Sequence, residues 1–191
     1  MKKYLVAAMA AICLPGVAAA QDDVAPKMDG VRLEARLGYE TPTVSDSSGV
    51  YKIGSAVSYG GEIGFDLKAG KSVVVGPYAV YEFSGVDLCD GAGNCLGENG
   101  NFAAGGRLGF ILGDKTQLYV KAGYASIDMK ATSGGASGSQ SKSGVQGAIG
   151  VDYNFSKHVY GMVEANYADY GDFYGIKLQR RHVAAGIGVR F

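Results

Sequence analysis

Eight stretches of this chain alternate large apolar residues with small or charged ones at a period of two, and that repetition leaves few folds open. A period of two sends successive side chains to opposite faces of a strand, so each stretch reads as a β-strand with one apolar face. The stretches are residues 31–40, 56–68, 72–83, 101–112, 116–128, 144–155, 159–170 and 183–191. In the first, Val31, Leu33, Ala35, Leu37 and Tyr39 oppose Arg32, Glu34, Arg36 and Gly38. In the last, Val183, Ala185, Ile187, Val189 and Phe191 oppose His182, Ala184, Gly186, Gly188 and Arg190. The third stretch contains Pro77, which removes a ladder donor and predicts a bulge. Composition agrees, since 31 glycines and 13 tyrosines with only 4 prolines suit many strands joined by turns.

The connections are of two kinds. Residues 41–55, 84–100 and 129–143 are long and polar, 171–177 is shorter, and 69–71, 113–115 and 156–158 are tight turns. Long loops at one end and short turns at the other are the organisation of a transmembrane barrel, whose tilted strands cross in roughly 9–11 residues. The Ser- and Gly-rich segment 129–143 predicts a mobile loop. A soluble barrel of the lipocalin type is the structural competitor, and the polar face decides between them. It holds mostly glycine, alanine and single charges, which suits the narrow interior of an eight-stranded barrel rather than a face turned to water. The apolar face ends in aromatics, with Tyr39, Tyr59, Tyr81, Phe83 and Tyr124 at one rim and Phe65, Phe110, Phe155 and Phe191 at the other. These predict girdles at the two membrane interfaces. The reading is all-β: an eight-stranded antiparallel up-and-down transmembrane β-barrel over residues 30–191.

The start of the chain has the layout of an export signal. Met1-Lys-Lys is positive, residues 4–14 are apolar, and Ala18-Ala-Ala20 precedes Gln21 as a small-residue cleavage site. Residues 1–20 therefore read as a secretory signal peptide, and 21–29 as a short periplasmic segment. Ile12 stands where a lipidated cysteine would need a small residue before it, so Cys13 does not read as a lipid anchor. Loss of Lys2 and Lys3 leaves two more acidic than basic residues, and no basic excess points to nucleic acid. Two cysteines remain, and Cys89 with Cys95 reads as a disulfide in an oxidising compartment.

The inward charges form the most informative set. Arg32, Arg36, Arg107, Lys121 and Arg190 face Glu34, Glu62, Asp66, Glu82, Asp152 and Glu164. Unpaired charges are costly in a confined interior, so near-balance predicts an interlocking network of ion pairs that plugs the barrel; a narrow, switchable ion path is the sharper alternative. Lys177, Arg180 and Arg181 fall where the last strand should leave the membrane, placed to contact lipopolysaccharide phosphates. Nucleophilic catalysis needs a serine, a histidine base and an orienting acid. His158 sits in a turn beside Lys157, and His182 follows Arg180 and Arg181 without a partnering serine. Two look-alikes fail. Gly70-Lys-Ser72 ends like a phosphate-binding loop, but Phe65 occupies the place of its leading glycine. Residues 87–98 have acids at both ends like a calcium loop, but Cys89, Gly91 and Ala92 stand at its ligand and glycine positions. No catalytic residue, metal or cofactor is predicted.

Three passages carry a likeness across the whole predicted mature chain: Gly150-Val-Asp-Tyr-Asn-Phe155, Val163-Glu-Ala-Asn-Tyr167 and Gly186-Ile-Gly-Val-Arg-Phe191. With them the chain resembles the small outer-membrane barrels of the OmpA transmembrane-domain and opacity-type surface-protein group. The resemblance implies a monomeric, non-enzymatic protein of the cell outer membrane that supports membrane integrity and presents surface loops for interaction or adhesion. It implies outer-membrane lipid and lipopolysaccharide as surroundings, and a host or surface ligand met through the loops. The barrel-assembly machinery and periplasmic chaperones would be partners during biogenesis, with the terminal aromatic Phe191 part of the signal they read. The alternatives are a narrow porin-like channel or hydrophobic-ligand conduit, and a lipid A-modifying enzyme. For the enzyme, neither histidine matches the lipid A deacylase arrangement of a histidine and serine two apart on the lipid face.

Overall fold

The computed structural model describes residues 26–46, 49–52, 54–89, 93–133, 136–173 and 176–191. Its strands are β1 (Gly30–Asp46), β2 (Gly49–Lys52), β3 (Ala56–Lys68), β4 (Val73–Phe83), β5 (Asp87–Cys89), β6 (Cys95–Leu112), β7 (Thr116–Ser133), β8 (Ala136–Asn154), β9 (Val159–Phe173) and β10 (Ile176–Arg190). β1, β3, β4, β6, β7, β8, β9 and β10 pair antiparallel in that order. β10 then returns to β1, from Arg32↔Arg190 to Ser45↔Lys177. Eight staves thus close an up-and-down barrel with no open edge around its girth. β2 folds back on the end of β1, and β5 on the start of β6. The predicted signal peptide and Cys13 lie outside the described residues.

Alternation turns the usual distribution of residues inside out. Leu37, Ile149 and Tyr124 are 60, 60 and 59% exposed, whereas Arg32 and Arg190 are fully buried. An apolar belt running right round a protein is far beyond the patches that soluble surfaces carry, and lipid is the solvent that suits it. Aromatics bound the belt. At one end Tyr59 stacks on Phe83 with ring centroids 5.4 Å apart, and Tyr81 meets Phe83 edge-on at 4.9 Å. Phe102 and Tyr167 also face outward here. At the other end Tyr153 meets Phe155 at 5.7 Å, and Phe65, Phe110 and Phe191 are exposed.

The strands outrun their apolar alternation at the long-loop end. β1 continues to Asp46 rather than stopping at 40, β6 starts at Cys95 rather than 101, and β10 starts at Ile176 rather than 183. The β7–β8 register runs unbroken from Thr116↔Tyr153 to Ser133↔Ala136. The segment 129–143, predicted as a mobile loop, is therefore mostly a paired hairpin. Ladder hydrogen bonds need extended backbone and a neighbour rather than apolar side chains, and β6 supports β7 as far as Cys95↔Thr132.

Pro77 does not form the predicted bulge. Its register with β3 is the same on both sides, Gly64↔Tyr78 and Leu67↔Val75, with the two pairs between them missing. Beside it Gly76 passes so near the Phe65 carbonyl that a Cβ there would overlap the oxygen. The register shifts lie instead between Glu98 and Gly100 and between Lys177 and Gln179.

Cys89 and Cys95 are disulfide-bonded and sit opposite each other across β5 and β6, with Cα atoms 4.2 Å apart. So short a ring constrains little of the unfolded chain. Replacing both cysteines by serine should therefore cost only about 2 kcal/mol. Urea unfolding in micelles should show that loss, while the gel shift on boiling that marks a closed barrel should persist.

Candidate functional site

The charged inward positions of the staves build one lumen in three layers. In the layer nearest the short turns, Arg107 reaches Asp66 at 2.7 Å and Asp152 at 2.6 Å. Arg190 joins the same two aspartates at 3.3 and 3.0 Å, and Arg32 Nε lies 3.0 Å from Asp66. In the middle layer, Arg36 meets Glu34, Glu62 and Glu164 at 3.2, 2.9 and 2.5 Å. Lys121 meets Glu62 at 2.7 Å and Glu164 at 2.6 Å. Arg32 ties the two layers through Glu34 at 2.5 Å and Glu62 at 3.2 Å. Aromatic side chains fill the remaining space. Tyr160 donates to Glu34 at 2.8 Å and Tyr119 to Glu164 at 3.0 Å. Arg107 stacks 4.0 Å from the centre of the Tyr119 ring, and Arg190 4.6 Å from that of Tyr160.

The third layer, at the long-loop end, was only partly foreseen. Glu82 was expected to face inward, and it accepts from Arg36 at 3.2 Å and from Arg180 at 3.0 Å. Arg180 was expected outside against lipopolysaccharide. Instead it is 1% exposed, pairs with Glu40 and Glu82, and lies 3.6 Å from Glu98. The physical reason is parity: β10 continues past Val183, and Arg180 shares the inward face of Arg190 and His182. Arg181 and Lys177 do face outward and are exposed. Glu40 and Glu98 are buried members that the sequence reading omitted. Glu40 could have been found by carrying the β1 alternation one step further, whereas Glu98 could not, because the register shift beside it inverts the parity.

His182 also has a serine after all. Ser58 Oγ lies 2.8 Å from its Nε2, and Asn166 Nδ2 lies 2.9 Å from its Nδ1. The serine comes from β3, on the other side of β1 from β10, which no local motif could reveal. Both side chains are buried, and the imidazole lies so close to Gly38 that a Cβ there would overlap it. His158 lies in the turn after β8, where its Nδ1 donates to the Arg190 carbonyl at 2.7 Å.

Both mouths of the lumen are covered. At the short-turn end Met28 is 4% exposed, accepts from Asn154 through its sulfur at 3.4 Å, and is held by Lys27 N donating to the Lys157 carbonyl at 3.0 Å. At the other end Val86, Ile127, Met129, Tyr170 and Leu178 form a buried apolar cluster above the third layer. A depression of about 350 Å³ among Val75, Gly106, Leu108, Val120 and Ala122 lies on the outward face rather than in the lumen.

An inward-charged, outward-apolar, aromatic-girdled barrel of eight antiparallel staves defines an integral outer-membrane protein. The chain belongs to the outer membrane protein beta-barrel domain family, whose model matches residues 4–191. Among solved structures it is similar to Ail, the attachment invasion locus protein of Yersinia pestis, at 17% identity and a TM-score of 0.56, covering 86% of this chain and all of that one. Neisserial surface protein A is similar at 15% identity and a TM-score of 0.59, covering 83% of this chain and 97% of that one. OprG of Pseudomonas aeruginosa is similar at 13% identity and a TM-score of 0.50, covering 88% and 99%. No curated protein matches the chain. The family fixes the location as the cell outer membrane; barrels of this kind turn their long loops outward and their short turns to the periplasm.

Proposed function

We propose that this is a non-enzymatic, non-conducting outer-membrane protein that stabilises the membrane and presents long β-hairpins to the outside. The observation that carries the reading is the lumen, in which buried ion pairs link the staves from Arg190 to Arg180 with both mouths covered. A conducting pore needs a continuous wet path, and interlocked charges leave none. The hairpins supply the other half. The β7–β8 hairpin continues nine residues beyond the outward Tyr124, to Ser133↔Ala136, about 30 Å of strand at ~3.3 Å per residue.

Arg181 and Lys177 face outward just above the girdle, where they bind the phosphates of lipopolysaccharide. The structure of Ail with the heparin analogue sucrose octasulfate supports an anionic glycan as a ligand class for the hairpins. In planar bilayers the purified protein should give no defined conductance steps; stable steps would restore the narrow channel. A deletion strain should become sensitive to detergents and lose adhesion, and unchanged behaviour in both assays would remove the proposal. Reversing Arg181 and Lys177 to glutamate should weaken capture of lipopolysaccharide without altering the gel shift on boiling.

A further inference from the structure

Charge in the lumen is not balanced layer by layer. Among the described residues, three buried arginines face two aspartates in the periplasmic layer, and two cations face three glutamates in the middle. At the extracellular end Arg180 faces Glu40, Glu82 and Glu98, with help only from Arg36 at Glu82. Eight buried carboxylates against six buried cations leave two negative charges in excess, and the imbalance is largest at the outer end. A dry interior does not tolerate that; such groups take up protons instead.

Glu98 is where the proton belongs. It is 4% exposed, neither carboxyl oxygen accepts a hydrogen bond, and Arg180 Nε stays 3.6 Å away. The groups around it are Arg180 and His182 on β10, Glu40 on β1, Glu82 on β4 and Tyr170 on β9; β7 sets Met129 opposite it. Glu98 lies beyond the membrane belt, four residues past the outward Phe102 and next to the exposed Asn99. Burial pushes its carboxyl up to about 8; Arg180 opposes this, and Glu40 and Glu82 add to it.

The same residue holds the cover of the outer mouth. Its amide donates to the Val86 carbonyl at 2.8 Å, and the Ser84 hydroxyl donates to Glu40. Val86 itself is 2% exposed within the apolar cluster. We propose that Glu98 is a proton-binding site that latches residues 84–86 over the extracellular mouth. With the proton on its carboxyl the latch is shut. When that proton leaves to water, three carboxylates share one arginine and repulsion lifts the segment.

The sign of the pH dependence follows from where the proton is held more tightly. In an open form the carboxyl is solvated and titrates near its ordinary 4.5, whereas in the shut form it holds the proton up to about 8. Acid therefore favours closure, and rising pH disfavours it progressively through that window.

The test is carboxyl NMR on ¹³C-glutamate-labelled protein in micelles, with the Glu98 signal assigned by its loss in Glu98→Gln. It is paired with amide exchange of residues 84–89, corrected for intrinsic rates. Glu98 should titrate above pH 7, and exchange in the segment should rise on the order of a hundred-fold between pH 6 and pH 9. Glu98→Gln, which is permanently neutral, should keep the segment protected throughout. A Glu98 carboxylate already ionised at pH 6, as a bound cation in place of the proton would produce, overturns the proposal. So does the same pH response in Glu98→Gln.

Discussion

Replacing Arg36 by methionine should lower the folding free energy by about 3–5 kcal/mol, as removing one partner of a buried ion pair does elsewhere. Arg36 touches four carboxylates, those of Glu34, Glu62, Glu82 and Glu164. Its loss leaves Lys121, Arg32 and Arg180 to serve all of them. Arg36→Lys should recover only part of the stability, because an ammonium cannot span four partners as a guanidinium fork does. Reversible urea unfolding in micelles measures both. A methionine variant as stable as the parent would mean that the network fills the lumen without holding it together.

Val120→Arg and Lys121→Leu are adjacent substitutions that should behave in opposite ways. Val120 is 42% exposed on the lipid face of β7, between Leu118 and Ala122 and well inside the girdles. Arginine near the bilayer midplane costs about 2–4 kcal/mol, so Val120→Arg should impair folding into vesicles. Lys121, 3% exposed, faces Glu62 and Glu164 inside. Its replacement by leucine should leave an assembled but weaker barrel. A gain in stability for Lys121→Leu, with Val120→Arg tolerated, would invert the two faces.

Much of this architecture could be read from the chain because alternation encodes it directly. Wherever apolar residues mark the lipid face, as in Leu33, Ala35 and Leu37, the inward partners Arg32, Glu34 and Arg36 follow by parity. Legibility fails above the girdle, where the environment is water and the outward face no longer needs apolar residues. There Ser141 and Ser143 carry no sign that β8 continues. The register shift at Glu98 then inverts the count and hides it, whereas Arg180 keeps the inward parity of His182 and Arg190 and is misread only when β10 is taken to start at 183. The pairing of Ser58 with His182 depends on barrel closure, a long-range property that no window of sequence contains.

Closure also has an electrostatic consequence for assembly. β10 brings two of the six buried cations, Arg180 and Arg190, so a barrel lacking its final stave would line its lumen with eight carboxylates and only four cations. Such an intermediate is strongly anionic inside and remains wet. The last strand therefore acts as a keystone: its docking supplies the final two cations of the lumen in the same step that joins it to β1. Assembly should accordingly show little accumulation of seven-stave forms, since neither the charge nor the seam is complete before the other.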